Sequence, residues 1–587
     1  MRTGKPIGGV RRAQLITTYG VGSIVAVESE SFMVAGIDRW PDLGSTEGLI
    51  KEPLLERKLR VDGFRLPPAF DRDGYGDVPV VRFPQYQSCP SCNRLDKARA
   101  FGVSRGPAKC KSCERDLVPS RFVMCCPKGH IDDFPYYNWV HQSNRGRHVD
   151  RHAMRIESTG RSAALRDIVI SCDCGARMTL EGALGRYALK GITSCTGLHP
   201  WLDGTITEAC EEDPRAMQRG ASGVWFSDVV SAISIPPWSE PLQSLISRHW
   251  EILAHLEGAT LRKVIETTRI GRRTSFTTDD IVLAVEKRQQ QERGLQDDSA
   301  VDIRAEEYKA LNRTVEESTD KQKFVCVPAI EEELDPTLAI DKVMKVKRLR
   351  EVRVLKSFTR LEAPSPVTET RPPLYTNDPG WLPAIEVIGE GVFLRLDQKM
   401  LAAWEQHPEV IGRAAETDIA YRKQFEQYDI AVDREITPRL MMVHTLAHAV
   451  INEWALDCGY SAASLRERLY VSDSMAGILI YTATSDSAGS LGGIVAQAEF
   501  GDLSGSIRRA LNRMTWCSSD PLCIESPPSG PGNLNHAACH ACVLLPETSC
   551  EEFNTFLDRA LLVGTPGQPE LGFFAADLSA AGAEPVT

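Results

Sequence analysis

The chain contains no Gly-x4-Gly-Lys-Ser/Thr loop and no His-Glu-x-x-His helix. Neither an autonomous P-loop ATPase nor a zincin-type hydrolase is therefore predicted. It has no run of about 18 apolar residues, so no hydrophobic membrane-spanning helix is expected. The stretch Met1-Arg-Thr-Gly-Lys-Pro-Ile-Gly-Gly lacks the apolar core of a signal peptide, and a cytoplasmic location is expected. Positive charge is also short: 68 Lys and Arg against 79 Asp and Glu give a net charge of −11. That balance argues against a uniformly basic nucleic-acid binder, although binding depends on local patches rather than on the total. With 42% hydrophobic and 25% charged residues the balance is that of ordinary globular proteins. A length of 587 residues exceeds what one core supports, and roughly three to five domains are expected.

Cysteine is abundant instead. The count is 17, an odd number, and many fall in closely spaced pairs, which favours metal ligation over disulfides. Cys89-Pro-Ser-Cys92 and Cys110-Lys-Ser-Cys113 each bring two thiolates to one ion, and the intervening stretch allows a β-hairpin to return the second pair. Four soft thiolates in a tetrahedron suit zinc and leave no open position. The predicted role is structural, stabilising a segment too small to hold itself together. Cys172-Asp-Cys174-Gly, followed by Cys195 and Cys210, suggests a second zinc site with looser spacing; Cys126 or His130 can replace Cys195 or Cys210, and His199 lies in the same stretch. Cys517, Cys523, Cys539, Cys542 and Cys550 offer five thiolates to a third site needing four, with Cys517 or Cys550 left over. Two to three structural zinc ions are expected.

In chain order, residues 1–80 read as a β-rich start. Arg11-Arg12-Ala-Gln14-Leu-Ile-Thr-Thr-Tyr-Gly20-Val-Gly22 suits a tight turn into a short strand, or a partner-contacting arm. Residues 81–215 form the zinc-binding region. Within it, Cys126-Pro-Lys-Gly-His130-Ile-Asp132-Asp133 offers possible ligands and acid/base groups, but a turn before a short aromatic helix is the simpler reading. Arg145, Arg147, Arg151 and Arg155 follow, as a phosphate-facing patch or a solvated face. Residues 216–335 read as helical, with Glu286 to Arg313 as a charged insertion, a solvated helix broken by a flexible loop.

Residues 336–435 form an α/β connecting region. Between Asp341 and Arg360, the residues Lys345, Lys347, Arg348, Arg350, Arg353 and Arg360 interleave with Val343, Val346, Leu349, Val352 and Leu355. One face can pack while the other meets DNA phosphates; otherwise the segment is a solvated helix. Trp381-Leu-Pro-Ala-Ile-Glu-Val-Ile-Gly389-Glu390-Gly391-Val-Phe-Leu394 reads as two β-segments joined by a Gly-Glu-Gly turn.

Residues 436–565 form the C-terminal domain, and 566–587 a Pro/Gly/Ala-rich mobile tail. His444 and His448, four apart, share one helix face. Their neighbours Met441, Met442, Leu446, Val450 and Ile451 indicate a packed helix with hydrogen-bonded core histidines, since a metal would need a further ligand. In the loop after Tyr481, the residues Ser487, Gly489, Gly492 and Gly493 lead into a helix and expose backbone N–H donors suited to a DNA phosphate. No lysine follows in the P-loop position, so ATP is not implied; alternatively the glycines merely permit close packing. The fold class expected is mixed α/β and multidomain. It has zinc-ribbon-like β modules in the N-terminal half and an α/β C-terminal domain with its own cysteine site.

Taken together, His444-Thr-Leu-Ala-His448, the Ser-Asp-Ser-Ala-Gly-Ser-Leu-Gly-Gly loop and Cys539-His540-Ala541-Cys542 resemble a C-terminal domain found beside or within bacterial DNA helicases. The chain from about residue 8 to about residue 563 is similar to the DrmB family, the helicase-partner subunits of DISARM anti-phage systems. The opening Arg-Arg-Ala-Gln segment, Cys126 to Pro135 and Trp381 to Gly391 carry the likeness as well. The resemblance implies a complex with the DrmA helicase, which supplies ATP hydrolysis, and a role in recognising foreign DNA. Two functions are thus weighed. One is a non-catalytic, zinc-stabilised, DNA-binding partner of a helicase. The other is a metal-dependent hydrolase or nuclease in which His444 and His448 hold a metal and Asp486 orients water.

Overall fold

The structure is a computed structural model. It describes residues 8–41, 48–69, 77–103, 106–142, 152–158, 160, 164–202, 207–236, 240–272, 274, 276–292, 302–315, 323–329, 335–364, 371–426, 432, 434–482, 493–498, 503–525 and 527–575. The chain divides into two compact units. One unit holds Met1–Lys51, Val61–Val230 and Arg353–Ile385; the other holds Glu52–Arg60, Ser231–Val352 and Glu386–Thr587.

The first unit is built mostly from short antiparallel strands, with Gly63–Arg65 pairing parallel with the start of Trp381–Leu396. Phe122–Cys125 is flanked by Ile131–Asp133 and Arg215–Gln218. A longer ladder runs through Arg177–Thr179, Ile168–Cys172, Met154–Ser158, Arg94–Lys97, Tyr86–Ser88 and Val118–Pro119. None of the strands in these two sheets exceeds five residues, and the apolar cluster around Cys89, Phe101, Ala108, Cys110 and Leu117 is small. A cluster this small buries too little apolar area to be stable alone, whereas the strands around Phe122, Trp139, Met154 and Ile170 share a larger core. The aromatic helix predicted after Asp133 is present as Tyr136–His141.

In the second unit, strand β1 (Ile340–Thr359, of which residues to Val352 belong here) pairs antiparallel with Val325–Pro328. Strand β2 (Trp381–Leu396, from Glu386 on) pairs with β4 (Met475–Thr482), and β4 pairs with β3 (Leu465–Ser472). Every residue of β4 is buried, so its run Ala-Gly-Ile-Leu-Ile-Tyr is apolar on both faces. Helix α1 (Pro438–Cys458) starts at Thr437, whose hydroxyl accepts from Leu440 N–H, and ends at Gly459 with φ +68°. It is apolar nearly all round because it is buried nearly all round. Helix α2 (Leu503–Met514) packs on it through Leu503, Ile507, Ala510, Leu511 and Met514, the i, i+4, i+7 stripe of an amphipathic helix.

Four expectations are corrected. The basic segment 341–360 lies in strand β1, not in a helix. The Gly-Glu-Gly segment is not a turn but the middle of β2. A Cβ on Gly389 would stand 2.4 Å from Thr482 O, and one on Gly391 2.5 Å from Ile480 O, so the glycines let β4 approach. The charged stretch is not a solvated insertion throughout: helix Ile303–Leu311 buries Glu307, which pairs with Arg468. The tail does not begin at 566, because Leu571 and Phe574 are buried and Leu571 O accepts from Trp404 Nε1.

Candidate metal centres

The two Cys-x-x-Cys knuckles share one geometry. Cys89 N–H donates to Arg94 O and Asn93 N–H to Cys89 O; Cys110 N–H donates to Arg115 O and Glu114 N–H to Cys110 O. Asn93 and Glu114 both take left-handed backbone, φ +60° and +53°. The four sulfurs lie within 4.8 Å of one another. Burial raises the Cys89 thiol's pKa, but the N–H groups of Cys92 and Ser91 bring it down to about 7. That is the thiolate-favouring environment a metal ligand requires.

The second expected quartet does not assemble. Cys195 and Cys210 converge instead with Cys126 and His130, while Cys172 and Cys174 converge with His141 and His152. Cys126 and His130 flank a tight hairpin turn closed by Cys126 N–H to His130 O, with Gly129 at φ +85°. A Cβ on Gly129 would stand 2.0 Å from Pro372, so glycine is required there twice over. His130 Nδ1 lies 3.2 Å from Cys126 Sγ and 3.5 Å from Cys195 Sγ, and Nε2 meets Glu208 Oε1 at 2.7 Å. A carboxylate behind a ligand histidine fixes its tautomer and orientation. The Cys126 thiol, hydrogen-bonded to Cys195, draws the Cys195 thiol down to about 4.

In the other set, His141 Nε2 lies 3.2 Å from Cys174 Sγ, with Nδ1 on Tyr137 O at 2.7 Å. His152 Nδ1 lies 3.2 Å from Cys172 Sγ. Sequence spacing missed both histidines. Met154 pairs with Cys172 across the ladder, and this register is what sets His152 beside Cys172. Asp133, weighed as an acid/base group, is buried and accepts from Tyr86 N–H, and burial pushes its carboxyl up to about 7.

At the C-terminal end Cys517, Cys523, Cys539 and Cys542 converge. Cys517 Sγ lies 3.5 Å from Cys539 Sγ, and Cys542 Sγ lies 3.8 Å from Cys523 and 3.7 Å from Cys539. Cys550 is the one left over, and it joins His444, His448 and Glu467 in a fully buried cluster. The third and fourth groups that the histidine pair lacked on paper are Glu467 from β3 and Cys550 from the loop before residue 560.

The basic residues of β1 fare differently. Arg350, Arg353 and Arg360 are buried and cannot reach DNA. Arg350 pairs with Glu52 at 3.1 Å and with Glu386, and donates to Ser234 Oγ at 2.7 Å. Arg360 donates to Gly129 O, Val224 O and Gly22 O. Lys347 is exposed, and Lys345 and Arg348 are half-buried. Ser487, Gly489, Gly492 and Asp486 lie outside the described residues, as do Arg145, Arg147 and Arg151. Gly493 opens the short helix Gly493–Ala496 and packs against Tyr460.

Four cysteine-rich sets, each offering four protein ligands, two of them with histidines seated on outer hydrogen-bond partners, fit closed zinc sites. An open catalytic position would require one ligand fewer. Fold and sites thus define a mixed α/β protein built around structural zinc. Residues 446–543 match the MrfA Zn-binding domain, and residues 11–226 match a domain of unknown function, DUF8724. The chain is 31% identical over 567 residues, 93% of its length and 99% of the relative's, to the DISARM protein DrmB of Bacillus paralicheniformis. It belongs to the DrmB family of DISARM proteins. Among the described residues no helix is long and apolar enough to cross a membrane.

Proposed function

We propose that the chain is the non-catalytic, zinc-braced partner subunit of a helicase in DISARM anti-phage defence, contacting DNA through its backbone in the cytoplasm. The likeness to a DrmB protein over nearly the full length of both chains carries this reading. Two further observations support it. The ligand sets are closed, which suits scaffolding rather than water activation. The chain also has no Walker loop, so ATP hydrolysis falls to the partner. The hydrolase reading is weaker: its two histidines are fully buried with two further ligand groups, leaving no place for substrate.

For DNA, β1 offers the exposed Lys347 and the half-buried Lys345 on one strand face. Contacts of this type give affinity that falls steeply with salt and depends little on sequence. The test is a salt titration of DNA affinity for the helicase complex carrying wild type or the Lys345→Glu/Lys347→Glu double variant. Weaker binding and a shallower salt slope in the variant are expected, with complex assembly unchanged. Equal affinities and slopes refute the assignment of these lysines, and failure to co-purify any helicase refutes the partnership.

A further inference from the structure

We propose that His444, His448, Glu467 and Cys550 form a fifth zinc site, closed and structural, at the centre of the second unit. His444 and Cys550 lie outside the span that matches the MrfA Zn-binding domain, and the four cysteines suited to that domain's zinc are all elsewhere. The site is thus additional to it.

The argument rests on lone pairs. His448 Nδ1 lies 2.9 Å from Val543 O, a carbonyl that can only accept, so Nδ1 carries the proton. In the neutral ring Nε2 then presents a lone pair. It faces Glu467 Oε2 at 3.6 Å, and neither atom has a hydrogen-bond partner although both residues are completely buried. Two buried acceptors facing each other repel unless a proton or a cation lies between them.

The remaining groups point to the same place. His444 Nε2 lies 3.2 Å from Cys550 Sγ and 3.1 Å from Glu467 Oε1. A zinc tetrahedron with arms of about 2.0 to 2.3 Å has edges of about 3.3 to 3.8 Å, so the ligand atoms already stand close to tetrahedral spacing. An outer layer supports three of the four. Cys550 Sγ accepts from Glu552 N–H at 3.3 Å and Asn554 N–H at 3.2 Å, the donors a bound thiolate calls for. Glu467 Oε1 accepts from Glu551 N–H at 3.0 Å. His448 is held by Val543 O, as above.

One nitrogen from each of two histidines, one thiolate and one carboxylate form a borderline donor set, which suits zinc over calcium or magnesium. Four protein ligands and complete burial leave no position for substrate or water. The ion would tie α1 and the following strand β3 to the Cys550 loop, which lies much later in the sequence.

The test uses the full-length wild-type chain. Anomalous diffraction at the zinc edge is expected to show a peak between His444 Nε2, His448 Nε2 and Cys550 Sγ, besides those at the cysteine-rich sets. Peaks at those sets and none here overturn the proposal. In parallel, native mass spectrometry of His448→Gln is expected to show one zinc fewer per chain than wild type. A folded variant with an unchanged zinc count also overturns it. If the variant does not fold, the anomalous map of wild type decides alone.

Discussion

Replacing Arg360 by Met tests the burial of the basic segment most directly. The guanidinium is 1% exposed and is pushed down to about 10 by burial. It donates to Gly129 O at 2.8 Å, Val224 O at 2.5 Å and Gly22 O at 2.8 Å. It also lies over the rings of Phe358 and Trp201, 4.9 and 5.2 Å from their centroids. A hydrogen bond from a charged donor contributes about 1.5–3 kcal/mol, and a carbonyl left buried and unpaired costs about 1–3 kcal/mol. Allowing for relaxation and for the relief of burying a charge, Arg360→Met should cost about 4 kcal/mol, a large fraction of typical domain stability. For a unit of about 250 residues that corresponds to a fall in melting temperature of roughly 8–16 °C.

Gly129 O belongs to the turn that carries Cys126 and His130, so zinc content should fall by up to one ion per chain. The assays are differential scanning fluorimetry and elemental analysis, with Lys347→Glu as the control. Lys347 is exposed, and its replacement should change stability by no more than about 0.5 kcal/mol. If Arg360→Met melts within about 2 °C of wild type, or if both variants lose DNA binding while keeping stability, the buried role is wrong.

Two other predictions concern the first unit. Cys89→Ser should lower soluble yield and remove one zinc per chain, because the small cluster around Phe101 and Leu117 cannot hold the knuckles without the ion; unchanged zinc by elemental analysis would count against it. Asp133 keeps its proton up to about pH 7 in the folded chain but releases it near its ordinary value of 3.8 when unfolded. The folded state therefore binds more protons, and this group's contribution to stability falls as pH rises from about 4 to about 7. Asp133→Asn should remove that slope, so the variant gains stability relative to wild type between pH 5 and pH 8; urea titrations at the two pH values that move in parallel refute it.

Some features of this protein are local and follow from sequence alone. A Cys-x-x-Cys knuckle closes on itself through hydrogen bonds spanning four or five residues, so Cys89, Cys92, Cys110 and Cys113 were readable as one site. The burial of α1 was readable from the apolar residues Met441, Met442, Leu446, Val450 and Ile451 around its histidines, and zinc from the thiol pairs. The grouping of the remaining ligands was not readable, because strand register decides it. Cys195 and Cys210 go to the hairpin of Cys126 and His130, Cys172 and Cys174 to His141 and His152, and Cys550 to the histidine pair through Glu467.

The basic run misled for a related reason. Apolar residues three apart imitate a helix face, whereas a strand buried on both sides has no period of its own. Only the partners Glu52, Glu386 and the three carbonyls around Arg360, each distant in sequence, decide that Arg350 and Arg360 are interior. A charge is stable inside when groups elsewhere in the chain satisfy it, and those groups are brought to it by the tertiary fold.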